Sequence, residues 1–201
     1  LGVVIMQYGK TVLVSIDVET LSADPLSAAL VSAGMAAKVL GGEMLDTFYA
    51  EIDPKSALGY GTQDDETLAW WEKQSDEAKS ALNRGTDSVE KALTALHQAI
   101  TRIGELSGGD FVVIARAPTF DCTILRQHFK QLGLDTPWHY WQERDHRTFE
   151  SALTLAANWS TMTYKQFVQG NVAHDALKDA LAQLNYVDYL VNAVMTVNET
   201  I

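Results

Sequence analysis

Apolar and polar residues along the chain change period several times, and the changes mark elements. From Thr11 to Glu19, "TVLVSIDVE", Val12, Val14, Ile16 and Val18 alternate with Leu13, Ser15, Asp17 and Glu19. Alternation of this kind predicts a strand with one apolar face. Further strands are predicted over Ala29–Val39 and Glu43–Ile52, with the glycine-marked hairpin turn "LGGE", Leu40 to Glu43, between them. Asp53-Pro54 is expected to close the third strand, and Ser56 to Asp65 to form a loop. "ETLAWWEKQ" and "SDEAKSAL" read as short helices. A long helix is expected from Ser88 to about Leu106, capped by Thr86 or Asp87, because Val89, Leu93, Leu96, Ile100 and Ile103 recur at helical spacing.

"GGDFVVIARA" does not alternate, which predicts a fourth strand buried on both faces. A helix through "FDCTILRQHFKQLG" follows, then a short fifth strand in "PWHYWQERD" and a helix from about Thr148. The last helix is expected from Asn171 onward, with Ala180, Leu184, Val187, Val191 and Val194 as its apolar stripe. Three antiparallel strands in a meander followed by alternating helix and strand predict an α/β fold with a mixed five-stranded sheet, strands 4 and 5 parallel, flanked by helices. The 201 residues show no repeat or linker, so a single domain over 1–201 is expected.

Composition narrows the classes. Hydrophobic residues make up 47% of the chain, which suits a packed core rather than disorder. Cys122 is the only cysteine, so no internal disulfide or CxxC metal site is available and a reducing compartment is expected. The opening "LGVVIMQYGK" lacks a basic leader and is too short to span a bilayer; Met6 is a candidate native start, with Leu1 to Ile5 foreign to it. A soluble, cytoplasmic protein without membrane contact is expected. The net charge of −11 argues against a long, nonspecific nucleic-acid footprint. It leaves room for a short, cation-assisted contact of low processivity.

The first strand poses a chemical problem. Asp17 and Glu19 share one face, about 7 Å apart, on a strand whose other face is apolar. Neighbouring carboxylates out of water repel and lose hydration. Three more groups fall where they could join them: Asp121 just past the buried fourth strand, and His174 and Asp179 five residues apart near the last helix. Such a cluster suits hard divalent cations, Mg²⁺ or Mn²⁺, which take oxygen ligands. Two cations about 4 Å apart, with an imidazole to take a proton from water, suit phosphodiester hydrolysis. The bland alternatives are an exposed edge strand for Asp17 and Glu19, a helix N-terminal charge for Asp121, and solvated helical groups for His174 and Asp179. Asp175 is expected at the surface.

Asp17-x-Glu19, Asp121 in a helix behind a buried strand, and His174 with four residues before Asp179 resemble the DEDD 3′→5′ exonucleases of the ribonuclease H-like superfamily, in the subgroup whose fifth residue is His. "LAWWEKQS", "RAPTFDCTIL", "QERDHRT" and "AHDALKDA" are similar to the phage exonuclease A and exonuclease VIII-like branch. The resemblance runs from about Val12 to Val194. It implies two divalent cations held by Asp17, Glu19, Asp121 and Asp179, with His174 as general base and nucleoside 5′-monophosphates as products. Its partner would be the 3′ end of a single-stranded nucleic acid, DNA first and short RNA second, and a phage-encoded enzyme in a bacterial host would fit. A non-catalytic binding module and a nucleotidase are the competing functions. Relatives often have Gly where Ala117 stands, which raises the question of a strained loop at that position.

Arg116, Arg144 and Arg147 are candidates to hold substrate phosphate, since guanidinium forks match phosphate oxygens; internal ion pairs with Asp145 or Glu150 are the alternative. Trp70 could stack on a terminal base, or pin a short helix, with Trp71 the better candidate for the core. His97, His128, His139 and His146 are read as structural or solvated, and Cys122 as a small core residue.

Overall fold

The structure is a computed structural model that describes residues 9–159, 161–169 and 174–199. The proposed foreign residues Leu1 to Ile5 and the candidate start Met6 lie outside the described residues, as do Asn171 to Ala173. Strands β1 (Val12–Thr20), β2 (Leu30–Val39), β3 (Met44–Glu51), β4 (Phe111–Ala115) and β5 (Glu143–Asp145) form one sheet in the order β3-β2-β1-β4-β5. β1 pairs antiparallel with β2, and β2 with β3, while β4 runs parallel to β1 and β5 parallel to β4. The mixed five-stranded sheet is therefore the one expected, with β1 at its centre.

The alternation of β1 divides two cores. Val12, Val14, Ile16 and Val18 enter the larger one, with Leu93, Leu96 and Ile100 of helix α4 (Val89–Leu106) and Ile124, Leu125 and Phe129 of α5 (Asp121–Gln131). Leu13 enters the smaller one on the opposite face, against Ala180, Leu184 and Val187 of α8 (Ala176–Glu199). All five residues of β4 are buried, as its lack of alternation predicts. The ladder between β1 and β4 ends at Ser15↔Ile114, so the second half of β1 runs on past the end of β4. Asp17 and Glu19 occupy that projecting half.

Several boundaries differ from the sequence expectation. Ser56 to Asp65 is not all loop: Pro54–Leu58 forms helix α1, with Pro54 in its first turn and Asp53 accepting the Lys55 N–H. An Asp-Pro pair ends a strand and starts a helix with equal ease, because Pro fixes a helical φ and lacks the N–H that a ladder needs. Helices α2 (Asp65–Trp71) and α3 (Asp76–Ala81) follow. α4 is capped by Ser88, whose hydroxyl accepts the Lys91 N–H, rather than by Thr86 or Asp87. The fifth strand keeps only Glu143–Asp145, after a 3₁₀ turn at Tyr140–Gln142. Helix α6 (His146–Ala156) starts two residues before Thr148 because Asp145 accepts the Thr148 N–H. A short helix, α7 (Tyr164–Phe167), has a capping box between Thr163 and Gln166 that the sequence reading overlooked. α8 starts at Ala176, and its expected stripe is buried at Ala180, Leu184 and Val187 and half-buried at Val191 and Val194. No helix among the described residues is long and apolar enough to cross a membrane.

Candidate active site

On the α8 side of β1, Ser15, Asp17 and Glu19 form a polar stripe. α8 lands directly on it because Gly34, the β2 residue opposite Asp17, has no side chain. A Cβ there would lie 2.2 Å from the carbonyl carbon of Ala176 and 2.4 Å from the Leu177 nitrogen. The first turns of α8 are thus held against β1, and Asp179 faces Asp17 and Glu19. From the other side, the chain leaves β4, turns through Arg116 to Phe120, and enters α5 at Asp121. Asp121 is 5% exposed and is the first residue of that helix, where the backbone favours a negative charge.

Each of these carboxyl groups is raised by burial, and most also feel the charges of the others. Burial pushes the Asp17 carboxyl well above its ordinary range, and the charges of Asp121, Glu19 and Asp179 add to the shift. Glu19 is pushed up to about 8 by burial and then by Asp179, Asp121 and Asp175. Burial takes Asp121 to about 7, against backbone hydrogen bonds and the charge of Arg147. Asp179 is also raised, chiefly by burial. Among the described residues, no Lys or Arg forms an ion pair with any of these four carboxylates.

His174 comes to the same place. Its backbone N–H donates to Asp179 Oδ2 at 3.0 Å, and its φ of 66° puts it in the left-handed region, uncommon for a residue with a side chain. One ligand atom from each of Glu19, His174 and Asp179 lies within 4.8 Å of the other two. The His174 ring packs edge-on against Trp70 and Trp71, with centroids 4.7 and 5.8 Å away. Of the five expected residues, Glu19, His174 and Asp179 lie together, and Asp17 and Asp121 are near enough for their charges to act on the same carboxylates.

The surrounding candidates divide. Trp71 is 3% exposed and donates Nε1–H to the Thr20 carbonyl at 2.9 Å, pinning α2 to the end of β1. Trp70 is 42% exposed and lines a cavity of about 680 Å³ together with Glu19, Thr20, Ser22, Thr67 and Phe120. The charged side chains on its wall, Glu19, Asp64, Asp65 and Glu66, are all acidic. The Arg116 guanidinium lies over the Tyr164 ring, 4.0 Å from its centroid, with Glu150 at 3.7 Å and His146 Nδ1 at 3.3 Å. Arg147 sits 3.8 Å from Asp145, and its charge reaches Asp121. Arg144 donates to the carbonyls of Trp141 and Glu143. The ion-pair alternative is therefore realised for Arg116 and Arg147, with both side chains still partly open to solvent.

Ala117 does not strain its loop. The non-glycine residues with positive φ among the described residues are Asn158, Trp159 and His174. The Ala117 carbonyl accepts the Phe120 and Asp121 N–H groups at 2.7 and 2.9 Å, which starts α5 in ordinary geometry.

Three residues at the site escaped the sequence reading. Asp175, expected at the surface, has its side chain 17% exposed; it caps α8 by accepting the Lys178 N–H, and its charge raises Glu19 and Asp179. Gly34 gave a signal only as a glycine inside a strand, which often marks close backbone approach. Gln183 lies four residues after Asp179, on the same helix face, and donates to Asp17 Oδ1 at 3.0 Å.

Solved structures with a similar fold are exonucleases. E. coli Exonuclease I in complex with a dT13 oligonucleotide superposes with a TM-score of 0.68 at 11% identity, over 94% of this chain and 43% of that one. Exonuclease I from Methylocaldum szegediense gives 0.65 at 16% identity, over 90% and 40%. The zinc-ion-bound form of the E. coli Exonuclease I–single-stranded DNA complex gives 0.65 at 11%, over 94% and 43%. The chain spans about two fifths of the length of these proteins, and at such identities the likeness concerns the fold. No curated protein matches the sequence. Residues 12–191, however, match a family throughout, and they include every strand and every carboxylate described above. The chain belongs to the 3′-5′ exoribonuclease Rv2179c-like domain family.

Proposed function

We propose that the protein is a metal-dependent 3′→5′ exonuclease acting on single-stranded nucleic acid and releasing nucleoside 5′-monophosphates. The observation that carries this reading is that Asp17, Glu19, Asp121 and Asp179 crowd one another's charge and, among the described residues, form no ion pair with Lys or Arg, with His174 beside Glu19 and Asp179. Four crowded oxygen donors fit a hard divalent cation, which would relieve the repulsion that lifts their pKa values. Asp17, Glu19, Asp121 and Asp179 would hold Mg²⁺ or Mn²⁺, two ions by the family resemblance. When bound, such ions supply Lewis-acid activation of water and neutralise charge on the phosphate. His174 takes the proton of the attacking water, a role imidazole fills well.

The cavity beside Glu19 suits the 3′-terminal nucleoside. Trp70 and Phe120 present aromatic surface to a base, and stacking on such rings is worth about 1–3 kcal/mol per base. Its acidic wall would repel a further phosphate, so the pocket fits the end of a strand and not its interior. Arg147, whose charge reaches Asp121, and Arg116 would steady phosphates upstream of the scissile bond; Arg144 is the weakest of the three candidates because its donors already meet carbonyls. One domain over the full chain and the phage-like subgroup belong to the same reading.

RNA is the first substrate in this proposal, because the family is described as an exoribonuclease domain. Single-stranded DNA is second, supported by the fold shared with oligonucleotide-bound Exonuclease I. The test uses 5′-labelled single-stranded RNA and DNA, ending in a 3′-hydroxyl or a 3′-phosphate, with Mg²⁺ or EDTA. A ladder shortening from the 3′ end in Mg²⁺ alone, faster on RNA and blocked by the 3′-phosphate, is expected. Hydrolysis of mononucleotides only would replace the reading with a nucleotidase. Binding without cleavage would replace it with a non-catalytic module.

A further inference from the structure

Gln183 is 1% exposed, yet it is polar and belongs to no expected ligand set. Its amide bridges two residues of the β1 polar stripe. Nε2 donates to Asp17 Oδ1 at 3.0 Å, and the Ser15 hydroxyl donates to Oε1 at 3.2 Å. Ser15 is itself fully buried. The contacts repeat the spacing of both elements. Ser15 and Asp17 are two apart on a strand, hence on one face, and Asp179 and Gln183 are four apart on a helix, hence on one face. α8 therefore presents its acid to the outer end of the stripe and its amide to the inner end.

We infer that Gln183 is a positioning residue, which locks the Asp17 carboxylate in the orientation that receives a divalent cation. The inference rests on the reading of Asp17 as a cation ligand. An ionised carboxylate only accepts hydrogen bonds, so the amide must turn its NH₂ toward Asp17. The amide oxygen then points at Ser15, whose rotatable hydroxyl satisfies it. A flip of the amide would set two acceptors against each other at Asp17. Ser15 and Gln183 are buried, so few other partners can reach the amide, and its orientation is set chiefly by this pair of contacts. Chemistry also explains the residue type. A lysine at 183 would neutralise Asp17 and remove the need for a cation, and a glutamate would add a fifth charge. An amide fixes direction and leaves the charge for the ligand. Outer partners of this kind typically change metal affinity about 10–100-fold when removed.

The test is Mn²⁺ titration by calorimetry on the full chain, wild type against Gln183→Met and Ser15→Ala, with thermal melts in EDTA. Met keeps the length and most of the volume of Gln without the amide. Q183M is expected to melt cooperatively and bind Mn²⁺ about 10–100-fold more weakly, with a raised cation requirement in oligonucleotide digestion and an unchanged KM for the oligonucleotide. S15A, which retains the amide but frees its orientation, should weaken binding about threefold. A folded Q183M that binds Mn²⁺ as tightly as wild type overturns the inference and leaves the exonuclease reading intact. Should Q183M fail to fold, S15A decides: weakened binding supports the role and wild-type binding overturns it. A wild-type protein that binds no Mn²⁺ overturns both.

Discussion

Gly34 and Ala176 are in backbone contact: the bare Cα of one strand residue faces the first peptide of α8, where a methyl group would sit 2.2 Å from the Ala176 carbonyl. Gly34 is also the ladder partner of Asp17. The approach that brings Asp179 to Asp17 thus depends on one missing side chain. Gly34→Ala forces α8 outward, because both partners at the contact are backbone and neither can rotate away. Overpacking of this kind costs about 1–3 kcal/mol. Misplacing a reacting group by about 1 Å costs on the order of 10²-fold in rate. The variant should melt lower and lose most exonuclease activity. Wild-type melting and turnover would show that α8 is not held by this contact.

The carboxylate pKa values predict an inverted pH dependence in the absence of cations. A carboxyl whose folded value lies above its unfolded value, near 4, binds more protons folded than unfolded, so stability falls as pH rises through that interval. Glu19 near 8 and Asp121 near 7, with Asp17 and Asp179 also raised, place the fall between about pH 4 and 8. In EDTA the melting temperature should therefore drop from pH 5 to pH 8.5. Mg²⁺ should restore it at pH 8 and do little at pH 5. Asp17→Ala, which removes one repelling charge, should flatten the drop in EDTA, abolish turnover, and leave the fold intact or firmer. A profile in EDTA that is level or rising over this range would contradict the crowding.

The site was legible in the sequence where an element has two unlike faces. β1 alternates, so the sharing of a face by Asp17 and Glu19 follows from the pleat alone. β4 does not alternate, so its burial on both faces, and the placement of Asp121 just beyond its end, could be read as well. What sequence period does not encode is contact between elements distant in the chain. Gly34 looks like any small residue of an apolar strand until α8 is laid on it. Gln183 falls within the apolar stripe of α8, three residues after Ala180 and four before Val187, but only the position of β1 shows what its amide meets. Asp175 was misread for a related reason: as the N-terminal cap of α8 it is held by the Lys178 N–H and Nζ, and the cap folds it toward Glu19. Asp53-Pro54 does close β3, but the loop expected from Ser56 begins as a helix, because the same pair serves strand ends and helix starts.

The two adjacent tryptophans should separate binding from stability. Trp71 is buried, and its indole N–H holds the Thr20 carbonyl, so Trp71→Ala should cost about 3–5 kcal/mol in a denaturant melt. Trp70 is half-exposed on the cavity wall, so Trp70→Ala should leave the melt near wild type and raise KM for an oligonucleotide about tenfold. A Trp70→Ala protein with unchanged KM would remove the base-stacking role.

His174 combines a reactive ring with a left-handed backbone. Loss of the ring should cost about 10²–10⁴-fold in turnover. Gly accepts a positive φ more readily than Ala, by about 1 kcal/mol. His174→Gly should thus melt above His174→Ala, with both equally slow. Equal melting would mean that the left-handed conformation carries no strain, and fast turnover in either variant would remove the histidine from the chemistry.

Anomalous diffraction from crystals soaked in Mn²⁺ shows whether carboxylates from three segments share one divalent-cation site. Manganese peaks among Asp17, Glu19, Asp121 and Asp179 are predicted, and they should vanish in crystals of Asp17→Ala. Saturating Mn²⁺ that gives peaks only elsewhere, or none at all, would contradict the account.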